Sequence, residues 1–508
     1  MLNKLLSLLQ QVVIGICLLP ASFYYGQGDW LKKVLIGKAF FSEMLSNLQE
    51  VLLRLEGRNC LVRVAVKVPL SIAFILHQTK SFSRTFQRIC SILGGAPAFG
   101  SPRGQTCSEQ FSAEIYEYVS FITDRSRQDV SQDFVPIAQE QADFQGIQTK
   151  LIAFYLPQFH AFPLNDEWYG KGFTEWTNVT KAIPHYTGHY QPQLPIDMGY
   201  YDLNDINVMR RQVELAKLYG IHGFCFHYYW FSGTRLMDMP LFKWLEDVEI
   251  DFPFCLNWAN ENWSKLWDGG NQEVRYKQDL QHGDDEKFFE DILPFFNDRR
   301  YIKVKGKPVL IIYRPHLFDK KRCRAFVDRQ RELAKAHGFE GLFIISVNSH
   351  GFQDDPNSWG LDAMLEFPPH GMLEQGLQSK QMNMYVNKNF IGRVWDGGEF
   401  IKNKKYLYDV NYKLFKGVCP SWDNTPRKAY TNGSVIDSIS PDLYKDWLAD
   451  CIEFTRKYHA SEEQFVFINA WNEWAEGAHL EPDARYGYAY LQATKDALLS
   501  KGGQTWKE

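Results

Sequence analysis

The chain has 508 residues, too many for one small domain and enough for a large α/β unit with an appendage. Its net charge of -4 and pI ≈ 6.4 leave no basic footprint for nucleic acid. The nine cysteines are scattered, without CxxC or a paired spacing with histidines. This speaks against a disulfide framework or structural zinc and points to a reducing compartment.

Residues 1–147 differ in character from the rest. The run Val12-Val13-Ile14-Gly15-Ile16-Cys17-Leu18-Leu19-Pro20 is too short and too interrupted to span a membrane. It could pass as a signal peptide, but no clear small-x-small cleavage site follows. Leu61 to Leu76 mixes apolar residues with Arg63 and Lys67; Ser81 to Leu93 lies beside Lys80 and carries Arg84 and Arg88. Basic amphipathic helices of this kind lie on anionic membrane surfaces, so residues 1–93 are expected to make peripheral membrane contact. A small helical domain packed on its own apolar faces is the alternative. Gly94 to Gly104 is a turn-rich linker, and residues 105–147 are polar, expected to form one helix and a connecting loop.

From residue 148 the pattern becomes regular. Eight apolar runs recur: Leu151–Leu156, Gly223–Tyr228, Pro253–Trp258, Pro308–Tyr313, Leu342–Val347, Ala363–Phe367, Gly417–Trp422 and Phe465–Ala470. Helical stripes follow most of them. Leu203, Ile206, Met209, Val213 and Ala216 mark one; Phe326, Leu333 and Ala334 mark another. Near-continuous apolar strands alternating with helices make a parallel sheet covered on both faces, and eight such units predict a closed (β/α)8 TIM-type barrel over 148–508.

In that fold the site lies at the C-terminal ends of the strands. Polar and aromatic residues gather there. After the first strand come Pro157-Gln158-Phe159-His160 and a loop with Trp168, Phe173, Thr174, Glu175, Trp176 and Asn178. The second ends in His227, Tyr228, Tyr229 and Trp230. The third ends in Asn257, Trp258, Asn260, Glu261, Asn262 and Trp263. The fourth offers Tyr313 and Arg314, and the sixth Glu366 and His370. The seventh offers Trp422, Asp423, Asn424 and Arg427. The last runs into Asn472-Glu473-Trp474-Ala475-Glu476-Gly477. Two acids three residues apart beside tryptophans suit glycosidic chemistry, in which one carboxyl moves the proton of the bridging oxygen and the other serves the opposite side of the sugar. Rings mixed with Asn, Asp, Glu and His also suit a ligand with apolar C–H faces and many hydroxyls. Ordinary core packing is the bland alternative.

Other chemistries lack their residues. The chain has no Asp-x-Asp, no GxGxxG, no P-loop and no His-Glu-x-x-His. No cofactor or metal is expected, and His222 and His227 read as a core and a site-wall histidine. Glu175, Glu261 and Glu366 could touch substrate or pair with Arg314 or Arg427.

Phe173-Thr174-Glu175-Trp176, the run from Asn257 to Trp263, Trp422-Asp423-Asn424-Thr425-Pro426-Arg427 and Asn472 to Gly477 resemble the WbsX-type glycosyltransferase family. That family is related to glycoside hydrolase family ninety-nine, the endo-α-mannosidases. The resemblance covers roughly residues 150–500 and implies the same barrel. It also implies catalysis by Glu473 and Glu476: the first assists attack by the sugar 2-hydroxyl to give a 1,2-anhydro sugar, and the second is general acid, then base. The hydrolases carry His where this chain has Ala475, so hydrolysis does not simply carry over. WbsX-type proteins are associated with bacterial surface polysaccharide assembly, of the O-antigen or capsule kind. The expected substrate is an oligosaccharide or lipid-linked glycan, handled at the cytoplasmic side of the cell membrane. A secreted endo-acting hydrolase and a barrel that binds glycan without turnover are the alternatives.

Overall fold

The computed structural model describes residues 132–264, 274–281, 284–382, 385–428 and 432–500. The basic segments expected at the membrane, the linker at 94–104 and residues 105–131 lie outside the described residues, and residues 132–147 contain no helix.

Eight strands form one parallel sheet: β1 Lys150–Tyr155, β2 Ile221–Phe231, β3 Phe254–Trp258, β4 Lys307–Ile312, β5 Phe343–Asn348, β6 Ala363–Glu366, β7 Leu414–Val418 and β8 Phe465–Ile468. Each pairs in parallel with its successor, and β8 returns to β1 through Lys150↔Phe465 to Ala153↔Ile468. The sheet is therefore closed, and the fold is the (β/α)8 barrel. Its strands are mostly apolar because one face meets the barrel interior and the other the helices.

The helices that cover the barrel follow the expected stripes. In Ile206–Leu218, Met209, Val213 and Ala216 are buried, and Asp205 caps the first turn by accepting from the amide of Asn207. In Lys320–Ala336, Phe326 and Ala334 are buried under the cap of Asp319. Asp285–Asn297, Pro441–Tyr458 and Ala489–Leu499 complete the long helices. Among the described residues no helix is long and apolar enough to cross a membrane. The five described cysteines, Cys225, Cys255, Cys323, Cys419 and Cys451, are free and buried.

Two strands differ from expectation. The seventh is Leu414–Val418, not Gly417–Trp422. Lys416 interrupts the apolar pattern, yet it is fully buried: its ammonium lies 2.9 Å from Glu366 and 2.6 Å from the Tyr406 carbonyl. Paired in this way, a charge can sit inside a covered sheet. Gly417 is needed beside it, since a Cβ there would fall 2.1 Å from the Glu366 carbonyl oxygen. Trp422–Asp423 forms a separate short strand, antiparallel to Ser434–Asp437. The second strand runs on past Tyr228 to Phe231 and turns back into Thr234–Leu236.

The barrel's contacts begin before residue 148. The Val135 amide donates to the Tyr486 carbonyl at 3.0 Å, and the Tyr488 amide donates to the Val135 carbonyl at 2.8 Å. The Ala138 amide donates to the Tyr219 hydroxyl, also at 2.8 Å.

Candidate active site

Beyond β8 the chain makes a tight hairpin. Asn472–Glu473 pairs antiparallel with Ala478–His479, and the 3-10 turn Trp474–Glu476 joins them. Gly477 closes the turn at φ 58, where a Cβ would meet Asp423 at 2.9 Å. Glycine is required on both counts. The turn brings Glu473 and Glu476 to the same guanidinium.

That guanidinium belongs to Arg427, which is buried and faces three carboxylates at once. It donates through Nη2 to Glu473 at 2.8 Å, through Nη1 to Glu476 at 2.7 Å and through Nε to Glu175 at 3.2 Å. One positive charge cannot balance three negative ones, two of them buried and the third, Glu476, half-buried. Burial accordingly pushes the Glu473 carboxyl up to about 8 and raises Glu476. Arg427 opposes the shift at both, and Glu175 adds to it. Burial and the crowding of carboxylates therefore favour the protonated form of both acids, which titrate jointly.

His227 Nε2 stands 3.8 Å from Glu473. Burial, aided by Arg427, lowers its imidazole to about 3, so the ring is neutral. The side-chain amide of Asn257 donates to His227 Nδ1 at 3.1 Å, which leaves Nε2 carrying the hydrogen on the Glu473 side. Tyr229 is buried within the electrostatic field of Glu473, Glu476 and Glu175, and Trp263 packs edge-on against it with ring centroids 5.4 Å apart.

The structure thus gathers Glu175, His227, Tyr229, Asn257, Arg427, Glu473 and Glu476 around one point, with Trp263 behind Tyr229. Other expected site residues hold this group in place. Asn472 accepts from the Leu156 amide at 2.7 Å and donates to its carbonyl at 3.0 Å, clamping the last hairpin to the end of β1. Asp423 accepts from His189 and Gln191, both at 2.6 Å, and from Thr425, fixing the loop that carries Arg427. Trp422 lies beside it, largely buried. Trp176 donates its indole hydrogen to the Tyr201 carbonyl at 2.8 Å and packs on Trp474. Trp474 is buried, stacked on His479 at 3.7 Å. Neither tryptophan offers an open face to a sugar.

Tyr228 and Trp258 point elsewhere, a correction to the sequence reading. The Tyr228 hydroxyl donates to Asp291 on the helix Asp285–Asn297. The Trp258 ring packs 4.2 Å from Phe288 and 5.5 Å from Phe326, under two helices. Side chains alternate along a strand, so the residues next to His227 and Asn257 must face outward.

A second cluster occupies the ends of β3 to β6. Glu261 pairs with Arg314 at 2.6 Å and lies 3.5 Å from His350. Asn260 exchanges hydrogen bonds with the backbone of Arg314. Tyr313 meets His370 at 3.2 Å and feels the charges of Glu261, Glu476 and Glu473. Glu366 belongs to neither cluster; its partner is Lys416. Among the described residues no group of three or more His, Cys, Asp and Glu is placed to hold a metal ion.

Sequence reasoning missed two residues. His350 follows β5, the one strand end from which no candidate was taken. Glu481 is buried and accepts from Trp474 at 2.6 Å, Gln212 at 2.7 Å, Tyr201 at 2.8 Å and Trp471 at 3.0 Å. A lone carboxylate between Leu480 and Pro482 gives no signal of four donors converging on it.

Residues 151–494 match the family described as Glycosyltransferase WbsX. Two curated relatives, both named "Uncharacterized protein WxcX", come from Xanthomonas campestris pv. campestris strains B100 and ATCC 33913; each is 43% identical over 355 residues. The match covers 70% of this chain and 50% of each relative, so the chain spans about half the length of the curated relatives it matches. Among solved structures, the GH99 endo-alpha-mannosidase from Bacteroides thetaiotaomicron aligns at 14% identity and TM-score 0.43, over 68% of this chain and 96% of that one. A "Glycoside hydrolase-like protein" aligns at the same identity and score, over 73% and 99%. With its family match spanning all eight strands, the chain belongs to the WbsX glycosyltransferase family.

Proposed function

We propose that the barrel transfers a glycosyl group from a glycoside or lipid-linked donor during assembly of a bacterial surface polysaccharide, at the cytoplasmic side of the membrane. The observation that carries this reading is the binding of Glu473 and Glu476 to one buried guanidinium, where burial raises both carboxyls. A pair poised in this way can move protons on both sides of an anomeric carbon.

In the proposed cycle the reactive form carries the proton on Glu476, and Glu473, ionised against Arg427, takes the proton of the sugar 2-hydroxyl as O2 bonds to the anomeric carbon. The bond from that carbon to the leaving oxygen breaks, and Glu476 gives its proton to the leaving group. Glu476 then takes the proton of the acceptor hydroxyl, whose oxygen opens the 1,2-anhydro ring, and Glu473 returns a proton to O2. Arg427 balances charge throughout, and His227 sits within reach of Glu473. Two inversions give net retention.

The test is incubation with a panel of free and lipid-linked oligosaccharides, with products read by mass spectrometry. A new glycoside of the added acceptor supports transfer. Release of reducing sugar alone would favour the endo-acting hydrolase. Binding with no product from any member would leave a glycan-binding barrel.

A further inference from the structure

The hairpin that carries the acid pair stands on a buried carboxylate that the proposed cycle does not use. Glu481 lies just past the return strand Ala478–His479 and is 2% exposed. Its Oε2 accepts from the Trp474 indole at 2.6 Å and the Tyr201 hydroxyl at 2.8 Å. Its Oε1 accepts from the Gln212 amide at 2.7 Å and the Trp471 indole at 3.0 Å. An ionised carboxylate offers about four lone-pair sites, and these donors fill them. All four partners are neutral: two indoles, a phenol and an amide. Burying a charge among neutral donors is costly, and an apolar residue would fill the space without that cost. What the charge supplies is direction, since each donor must point at it.

The donors lead to the acid pair. Trp474 lies between Glu473 and Glu476 in the 3-10 turn. Its ring is held by His479, stacked at 3.7 Å, and by Trp176 at 5.6 Å, and the bond to Glu481 fixes how the indole is turned. On the other side of Glu473, the Glu481 amide donates to the Trp471 carbonyl at 3.1 Å. Asn472 donates at 3.3 Å to the Tyr201 hydroxyl, which itself donates to Glu481. Tyr155 on β1 donates to Gln212 at 2.7 Å, so the same carboxylate is tied to the barrel wall. Both chain neighbours of Glu473 are thus oriented from one point.

We propose that Glu481 is a positioning residue for the acid pair: ionised, it orients Trp471 and Trp474 and thereby sets where Glu473 and Glu476 stand against Arg427. The proposal rests on the carbohydrate reading given above. Burial pushes the Glu481 carboxyl up to about 7, against its four donors. The titratable groups that face it are Tyr155 and Tyr201, whose phenols burial keeps neutral, and His479, whose imidazole burial lowers to about 4 and whose Nδ1 meets the Glu481 carbonyl at 2.9 Å. Among these groups Glu481 is the one that changes charge near neutrality. Once protonated, it carries a hydrogen where one of its donors points, and that donor must let go.

The test uses the full chain and a donor and acceptor from the oligosaccharide panel that give product. Glu481→Gln keeps the shape but sets an N–H against the donors. Its kcat should fall by roughly 10- to 10²-fold, as for a misplacement of about 1 Å, while KM stays within about twofold. The loss should be largest above about pH 7 and shrink at lower pH, where Glu481 of the parent is itself protonated. The ratio of the two rates isolates Glu481 from Glu473, which both chains retain. Trp474→Phe removes the indole hydrogen and keeps a ring. It should lower kcat with the same pH dependence, and the double variant should be no slower than Glu481→Gln alone. Circular dichroism confirms folding; if Glu481→Gln fails to fold, Trp474→Phe decides. Four results would each overturn the positioning role and leave the carbohydrate reading standing: a folded Glu481→Gln with the parent's kcat, a loss equal at every pH, a loss carried by KM, or losses that multiply in the double variant. If no member of the panel gives product, the carbohydrate reading falls and takes the positioning role with it.

Discussion

Arg427 donates to Glu476 at 2.7 Å from the guanidinium that also holds Glu473 and Glu175, so the proposed proton donor never acts as an isolated acid. Replacing Arg427 with Lys keeps the charge and loses the planar fork that reaches three partners. Turnover should fall by roughly 10²-fold, as for loss of one preorganised donor. Arg427→Ala leaves buried carboxylates uncompensated and should destabilise the fold by on the order of 3–5 kcal/mol. Thermal unfolding and steady-state rates separate the two effects. An Arg427→Ala chain as stable and active as the parent would remove Arg427 from the mechanism.

Glu476→Gln should lose about 10²–10⁴-fold in turnover while retaining glycan binding, because an amide keeps the shape and cannot give up a proton in the same way. Glu473→Gln should be damaged to a similar degree if the 2-hydroxyl is the nucleophile. Rates near those of the parent in either variant contradict its assigned role.

The same pair sets a pH dependence of stability. Glu473 is held at about 8 in the folded chain against an ordinary 4.5, so between those values the folded state binds more protons than the unfolded one. Stability is therefore highest at the acid end of this window and falls as pH rises through it. Glu473→Gln cannot ionise and should flatten that fall by on the order of 1–4 kcal/mol. The measurement is urea unfolding from pH 5 to 9 for both chains. Parallel curves would show that Glu473 ionises as freely in the folded chain as in the unfolded one.

Extensive treatment with chelator should leave turnover unchanged, since two carboxyls and hydrogen bonds suffice for glycosidic chemistry. Activity that vanishes with chelator and returns with a divalent ion would replace this mechanism with a metal-dependent one.

The amino-terminal region carries a two-part prediction. The full chain should sediment with anionic vesicles and be released by salt, through Arg63, Lys67, Lys80, Arg84 and Arg88. A chain shortened to begin at Gln132 should fold and stay in the supernatant. One shortened further to begin at Gln148 loses the Val135 and Ala138 hydrogen bonds and should be less stable by on the order of 2–4 kcal/mol. A full chain that ignores the vesicles would end the membrane proposal.

The barrel was legible because a strand buried on both faces is written as a continuous apolar run, and eight such runs are hard to arrange in any other way. The same property hid which way each residue points. In a half-exposed sheet the polar side reveals itself, but here Tyr228 and His227 look equally suited to a site, and only the strict alternation of the strand sends Tyr228 to the helices. Lys416 shifted the seventh strand, because a charge balanced by Glu366, 50 residues away, has no local signature. The carboxylate pair was legible from its three-residue spacing. The central place of Arg427 was not, since it depends on three loops converging.

The clamp between Asn472 and Leu156 joins residues 316 positions apart in the chain. The proposed catalytic pair is therefore assembled only once the first and last strands of the barrel meet. A chain still emerging from the ribosome can build β1 to β7 and expose every aromatic at their ends, yet it holds no carboxylate pair until its last strand docks beside its first. A cut between β8 and Glu476 should therefore remove the carboxylate pair outright rather than weaken it by degrees.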